Sequence, residues 1–225
     1  MGEFVTFFGL AFSALLPLIN PLGDALVFVE LIGAAPSNVY RALAKRVAVS
    51  TTLFLLVIEV IGTAVLKFFG ISLPVMQVSG GLVISAMGWN LLNQTDVDTA
   101  NEIGKSATWD DAAFASLAGK VFYPLTFPIT AGPGCIVVMV TLSAHASVKG
   151  IFSDIAAHLG IALAVVLLSV AVYVCYGYAP AVTARVPPQT ANGIRRVIAF
   201  VLMCIGVQIT WNGAQVLLKT LLTSR

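Results

Sequence analysis

Charged side chains are scarce in this chain. Only 10% of its 225 residues are Asp, Glu, Lys or Arg, whereas an ordinary soluble domain carries about a quarter. Apolar residues make up 59% of the sequence, and the mean hydropathy is +0.98. A net charge of only +2 provides no basic surface for nucleic acid. The composition therefore predicts a polytopic membrane protein whose main surroundings are the lipid bilayer.

Catalytic and metal-binding signatures are also missing. The three cysteines lie in apolar runs without zinc or redox spacing, and the two histidines have no carboxylate at ligand spacing. The sequence contains no His-Glu-x-x-His motif, no phosphate-binding loop and no nucleophile beside an evident base. We therefore expect no metal, no cofactor, no nucleic-acid partner and no enzymatic activity.

Six long apolar runs follow one another along the chain. They cover approximately residues 4–34, 47–69, 73–92, 120–146, 151–177 and 197–218. Runs of about 20 apolar residues can span a bilayer as helices, and none of these alternates with the period of a barrel strand. The pattern predicts an all-α membrane protein with six transmembrane helices. Its parts are a first repeat (1–93), a polar linker loop (94–119) and a second repeat (120–225).

The two halves share a short motif in their first helices. The sequence Pro-Leu-x-x-Pro, followed by Leu or Ile, occurs at residues 17–22 and again at residues 124–129. Three helices per half is an odd number, so the second repeat is inserted upside down relative to the first. Inverted repeats with broken helices are typical of secondary transporters, which hold the substrate at the repeat interface near the midplane.

Each of these first helices also contains a helix-breaking sequence. NPLGD at residues 20–24 interrupts helix one, and GPG at residues 132–134 interrupts helix four. Proline removes a backbone donor, and a broken membrane helix is tolerated only where its polar groups meet protein or water. We predict that both helices are broken at mid-membrane and form one polar site. Asn20 is expected to cap a half-helix that begins at Pro21.

The predicted site suits a small solute with an anionic end. Helix N-termini carry unpaired N–H groups and partial positive charge, so two of them can cradle a carboxylate. The intramembrane acids Asp24 and Glu59 are candidates for proton coupling, with helix capping and structural pairing as the respective alternatives. The predicted substrate-binding residues are Asn20, Pro21, Gly23, Asp24, Thr126, Thr130, Gly132, Gly134 and Gln208.

Some of these polar residues have an equally good structural explanation. Thr126 and Thr130 can satisfy the broken backbone instead of a ligand. Gln208 and Asn212 are four residues apart on one helix face and can hydrogen-bond between helices.

The distribution of basic residues predicts the orientation. The loops on one side carry eight of them, and the opposite side carries four. The richer side holds Arg41, Lys45, Arg46, Lys105, Lys120, Arg185, Arg195 and Arg196; the poorer side holds Lys67, Lys149, Lys219 and Arg225. Because the richer side is expected to be cytoplasmic, both termini are predicted to lie outside, in the periplasm of a bacterial cell.

Four sequence stretches together point to a known family. They are residues 20–23, 80–81, 124–134 and 206–208. In these positions the chain resembles the MarC family of six-helix integral membrane proteins, over nearly its whole length. The resemblance implies transport of small neutral amino acids such as glycine or alanine, with proton coupling as an open question. Similar proteins usually have asparagine after the Asn-Pro-x-Gly motif, whereas this chain has Asp24.

These observations lead to one main hypothesis with two alternatives. The main one is a secondary transporter of small neutral amino acids in the cell inner membrane that works by alternating access. Its candidate coupling ion is H+ or another ion. A passive channel for small neutral solutes and a membrane scaffold without transport activity stay open.

Overall fold

The chain is helical in the part that the structure describes. The computed structural model describes residues 2–33, 35–93, 119–146, 150–183 and 188–223. In these ranges the helices are α1 (Gly2–Ile19), α2 (Pro21–Ile32), α3 (Ser37–Phe68), α4 (Leu73–Asn93), α5 (Val121–Thr130), α6 (Pro133–Ala146), α7 (Ile151–Gly177), α8 (Ala179–Thr183) and α9 (Pro188–Thr223). No strand occurs in these ranges, so the all-α prediction is confirmed. Nearly all of the predicted linker lies outside the described residues.

Several of these helices are long and apolar enough to cross a bilayer. Four segments meet that requirement: Gly2–Val29, Ser37–Phe68, Ile151–Gly177 and Ala199–Leu222. The bent pair α5–α6 makes a fifth if it is counted as one span. Helix α4 occupies the third predicted run but is not among these spans. A protein with several membrane-spanning helices is therefore confirmed, and the number six stays a prediction.

Many of the exposed side chains are large and apolar, as lipid contact requires. Val60 in α3 is 76% exposed, and Phe152 in α7 is 91% exposed. Helix α7 is the most buried of the spans: 44% of its most apolar stretch is buried, compared with 17–22% for the others. It packs against α1, α2 and α3 and therefore forms the centre of the bundle.

Helices α4 and α9 approach each other closely along a stripe of glycines. A methyl group added at Gly88 would lie 2.7 Å from Met203 N, and one at Gly213 would lie 2.6 Å from Pro74 O. The start of α4 thus pairs with the later part of α9, so the two helices are antiparallel. Small residues let membrane helices pack backbone against backbone, which stabilises them where burial of apolar surface cannot.

We expect the substitution Gly88→Ala to destabilise the protein because the new methyl group has no room beside the α9 backbone. Overpacking costs about 1–3 kcal/mol, which corresponds to a fall of roughly 2–10 °C in the thermal unfolding midpoint in detergent. The control is Gly9→Ala on α1, where nothing lies within 4 Å of the added carbon. An equal effect of the two substitutions would contradict the proposed close packing.

Candidate functional site

The first helix break is built around Asn20. Its backbone has φ 40 and ψ 61, a left-handed conformation that asparagine tolerates better than most residues. Asn20 Oδ1 accepts a hydrogen bond of 3.2 Å from Gly23 N, and Asn20 O accepts one of 3.0 Å from Asp24 N. Pro21 is the first residue of α2 and has no N–H to satisfy. The prediction that Asn20 caps a half-helix beginning at Pro21 is confirmed.

Gly23 is required by this cap. A Cβ atom there would overlap Asn20 Nδ2 and would lie 2.7 Å from Asn20 Cγ. Any other residue would push the asparagine side chain out of its capping position. The glycine therefore has a structural role, and a contact between Gly23 and a substrate stays a prediction.

Asp24 lies in the first turn of α2 and has an unsatisfied oxygen. Its Oδ2 is buried and has no hydrogen-bond partner among the described residues. The ring of Phe28, one turn later on α2, stacks on the ring of Tyr176 on α7 with 4.4 Å between the centroids. A buried carboxylate oxygen without a partner is costly in a membrane, and substrate binding by Asp24 stays a prediction.

The second break begins in α5, which is wound more widely than an α-helix. Leu125 N bonds to Lys120 O at 3.3 Å, five residues back, instead of four. Tyr123 and Phe127 leave the helical conformation, and each precedes a proline, which disfavours helical φ and ψ at that position. The sequence pattern predicts an ordinary helix up to GPG at residues 132–134. The structure instead shows irregular backbone along all of α5, followed by a bend of 71° into α6.

Two threonine hydroxyls satisfy the carbonyl groups of this irregular segment. Thr126 Oγ1 donates to Val121 O at 2.8 Å, and Thr130 Oγ1 donates to Leu125 O at 2.8 Å. Thr130 Oγ1 also lies 2.8 Å from the hydroxyl of Tyr176. Both threonines therefore satisfy the broken backbone, which was the alternative to ligand binding. Substrate binding by them stays a prediction.

The two breaks lie at the same level and in contact. Helix α6 begins at Pro133, and Gly132 O accepts a hydrogen bond of 3.0 Å from Cys135 N. A Cβ atom at Gly134 would lie 2.7 Å from a methyl carbon of Leu18, which belongs to the last turn of α1. The predicted convergence of the two broken segments is thus seen in the structure.

We call the polar residues gathered here the break cluster; its members are Asn20, Asp24, Thr130, Cys135 and Tyr176. Thr130, Cys135 and Tyr176 are almost completely buried. Sequence reasoning missed the last two. The position of Cys135, directly after GPG, was a usable signal, whereas nothing in the apolar run around Tyr176 links it to Thr130.

Glu59 lies in a different buried pair. Glu59 Oε1 is 3.1 Å from Nδ1 of His158 on α7, and Glu59 as a whole is only 4% exposed. Ser143 Oγ on α6 donates to the backbone oxygen of Glu59 at 2.7 Å. Glu59 is therefore part of a structural pair, which was the alternative to proton coupling, and its partner is a histidine. A role in proton coupling stays a prediction.

Gln208 is not brought into the break cluster. Its Nε2 donates to Asn212 Oδ1 at 2.9 Å on the same helix. Both amides line a cavity of about 260 Å³, which Ser13, Gln77 and Thr141 also line. None of the residues in the break cluster lines this cavity. Substrate binding by Gln208 stays a prediction, and it would occur at a second location.

Comparison with known proteins identifies relatives along nearly the whole chain. Residues 5–218 match the sequence profile described as MarC family integral membrane protein. The chain is 29% identical over 214 residues to the UPF0056 inner membrane protein MarC of Escherichia coli strain K12, across 94% of this chain and 96% of that protein. Proteins of the same name from Escherichia coli O1:K1 and Shigella flexneri show the same identity and coverage. No solved structure matches the chain.

We expect Asn20→Ala to destabilise the protein more than Asn20→Gly. Alanine removes the cap, which costs about 1 kcal/mol, and places a Cβ in the left-handed region, which costs about 1–2 kcal/mol. Glycine accepts that backbone conformation and loses only a few tenths of a kcal/mol relative to the asparagine cap. The measurement is the thermal unfolding midpoint in detergent. Equal midpoints for the two variants would contradict the left-handed cap.

Proposed function

Because this chain belongs to the MarC family of integral membrane proteins, we propose that it is a secondary transporter of small neutral amino acids such as glycine and alanine. It works by alternating access in the cell inner membrane and needs no enzymatic chemistry. The observation that carries the proposal is the buried Asp24 Oδ2 atom, which has no partner beside two converging helix breaks.

Asp24 supplies the site for the ammonium group of the substrate. The ammonium group donates up to three hydrogen bonds, and a carboxylate oxygen is its strongest acceptor. The aromatic ring of Phe28 stacks on Tyr176 at 4.4 Å and closes the apolar side of the cluster. Such a closed site favours small side chains over large ones. An asparagine, which the family resemblance implies at this position in similar proteins, would accept the same bond through its carbonyl oxygen without charge.

The carboxylate of the substrate binds at the start of α6. At the start of α2, the amides of Gly23 and Asp24 already bond to Asn20, so that helix end has few donors left. At the start of α6, Cys135 N bonds to Gly132 O, and Gly134 N has no bond in the described chain. The free N–H and the helix dipole favour an anion there. The two charged ends of the amino acid thus have separate partners, one on each broken helix.

The pattern of helix contacts supports the two inverted repeats. If α1–α2 corresponds to α5–α6, α3 to α7 and α4 to α9, several of the described contacts have a counterpart. Helix α1 packs on α7, and α6 and α5 pack on α3. Exchanging the two repeats exchanges α4 with α9, so the antiparallel contact between these two helices is its own counterpart. A two-fold axis in the membrane plane produces such paired contacts, and rocking of one repeat against the other gives alternating access. With the basic loops in the cytoplasm, both termini are periplasmic.

For coupling, we assign the proton to the Glu59–His158 pair and the substrate to Asp24. Glu59 is buried between α3, α6 and α7. The titratable group that contacts it is His158 on α7, and α6 contributes the neutral Ser143. Because α6 also begins at the break cluster, a change at Glu59 can alter the same helix that binds the substrate carboxylate. Asp24 is the alternative proton carrier.

We expect Asp24→Asn to raise the KM for glycine uptake into proteoliposomes about five- to tenfold, because a neutral acceptor bonds an ammonium group about 1 kcal/mol more weakly. Asp24→Leu, which removes the acceptor, should abolish uptake. Glu3→Gln, at the start of α1, is the control for loss of an acid elsewhere. Uptake by Asp24→Leu at the wild-type rate would contradict the proposed site.

The same proteoliposomes separate the transporter from its alternatives. A transporter shows saturable counterflow, in which internal unlabelled glycine drives transient accumulation of labelled glycine. A passive channel shows no counterflow, and a scaffold shows neither uptake nor thermal stabilisation by glycine, alanine or serine.

We expect Glu59→Gln to retain counterflow but to lose the accumulation of glycine driven by an imposed pH gradient. Glutamine keeps a hydrogen bond to His158 but carries no proton across the membrane. His145→Gln is the control, since His145 bonds only to the backbone oxygen of Thr141 on its own helix. Full gradient-driven accumulation by Glu59→Gln would reject Glu59 as the coupling group, and its loss in Asp24→Asn instead would assign the proton to Asp24.

A further inference from the structure

A second polar site lies in the membrane outside the break cluster. It is the cavity of about 260 Å³ between α1, α4, α6 and α9, and we call it the polar cavity. Its polar lining consists of Ser13, Gln77, Thr141, Gln208 and Asn212. No charged residue of the described ranges lines it.

Two polar side chains of this cavity, those of Thr141 and Gln77, have no hydrogen-bond partner among the described residues, whereas Ser13 Oγ donates to Leu10 O at 3.2 Å. Thr141 Oγ1 is buried without a hydrogen-bond partner among the described residues. The Gln77 side chain is 8% exposed and makes no hydrogen bond in the described chain. Gln208 and Asn212 bond only to each other. Amides and hydroxyls are costly in hydrocarbon, so the cavity requires water or a polar ligand.

The polar cavity lies on one side of both helix breaks. Ser13 is about two turns before Asn20 on α1, and Thr141 is about two turns after Pro133 on α6, so each is roughly 10 Å from the breaks. Helix α1 runs towards the break and α6 runs away from it. Ser13 and Thr141 therefore meet in the half of the membrane that contains the N-terminus.

An apolar barrier separates the polar cavity from the break cluster. Gly134 packs against Leu18 and Ile84, since a Cβ there would lie 2.7 Å from Leu18 Cδ2 and 2.9 Å from Ile84 Cγ1. Val138, one turn further along α6, lines the cavity. A solute in the cavity is thus one helical turn from the free N–H of Gly134, with the side chains of Leu18 and Ile84 in between.

We propose that the polar cavity is a separate binding site for a small zwitterionic amino acid. The amino acid occupies it on the path between the break cluster and the side of the membrane on which the N-terminus lies. Its ligand class rests on the proposed function. The uncharged lining selects a solute with no net charge, because a net ion would be desolvated without a counter-charge. Amide oxygens accept from the ammonium group, and amide and hydroxyl donors bind the carboxylate.

Thiol labelling tests this site directly. The probe is trimethylammonioethyl methanethiosulfonate, a charged reagent that reacts in water and does not enter lipid. We expect Ser13→Cys to be labelled in membranes, as read by mass spectrometry of the peptide. The wild-type chain, with its buried Cys135 and its two other native cysteines, gives the baseline. Leu16→Cys, an outward-facing position one turn further along α1, is the matched control and should stay unlabelled.

Glycine should protect Ser13→Cys from the reagent. At ten times its Kd, the unoccupied fraction and hence the labelling rate fall about tenfold. Because the cavity does not use Asp24, the protection should persist in the double variant Ser13→Cys with Asp24→Leu. Thr141→Cys serves as a second reporter on the facing helix, should either cysteine variant be poorly produced.

Three results would overturn the proposal. They are no labelling at either reporter position, labelling that glycine does not slow, and protection that disappears with Asp24→Leu, which would place the ligand in the break cluster alone. The outcome is independent of the proposed break-cluster site. Unchanged uptake by Asp24→Leu would reject that site and leave protection at Ser13→Cys as it is.

Discussion

The need to satisfy backbone polar groups inside a membrane explains most of the local structure at the two breaks. An unpaired N–H or C=O in hydrocarbon costs several kcal/mol, so a helix cannot be broken there without replacement partners. The side chain of Asn20 supplies one for α2, and the hydroxyls of Thr126 and Thr130 supply two for α5. The same requirement explains why the breaks adjoin each other, since each helps to shield the other from lipid.

Two polar groups at the breaks have no such replacement partner, and the proposed binding chemistry rests on them. The carboxylate oxygen Oδ2 of Asp24 and the amide of Gly134 have no partner in the described chain, and they stand on different broken helices. One is an acceptor and the other is a donor at a positive helix end. A small amino acid carries the complementary pair of charges. Binding it would join the two halves of the protein, which is the coupling of occupancy to conformation that alternating access requires.

The sequence was sufficient for features that depend on local chemistry. Proline and asparagine at residues 20–21 predicted the first break and its cap, and the apolar runs predicted the helices. Features that depend on packing were not accessible. The contact of Thr130 with Tyr176 and that of Glu59 with His158 join distant parts of the chain. The cavity that Gln208 lines, away from the break cluster, depends on packing for the same reason, and the wide winding of α5 follows from two prolines acting together.

We infer that Asp24 of the break cluster and the amide of Gly134 at the start of α6 bind the two charged ends of one small amino acid. Calorimetric titration of the purified protein with glycine, acetate and methylamine tests it most directly, because the latter two each lack one of those ends. We expect binding of glycine and, at the same concentrations, no binding of acetate or methylamine. Equal binding of acetate and glycine, or no heat from any of the three, would contradict it.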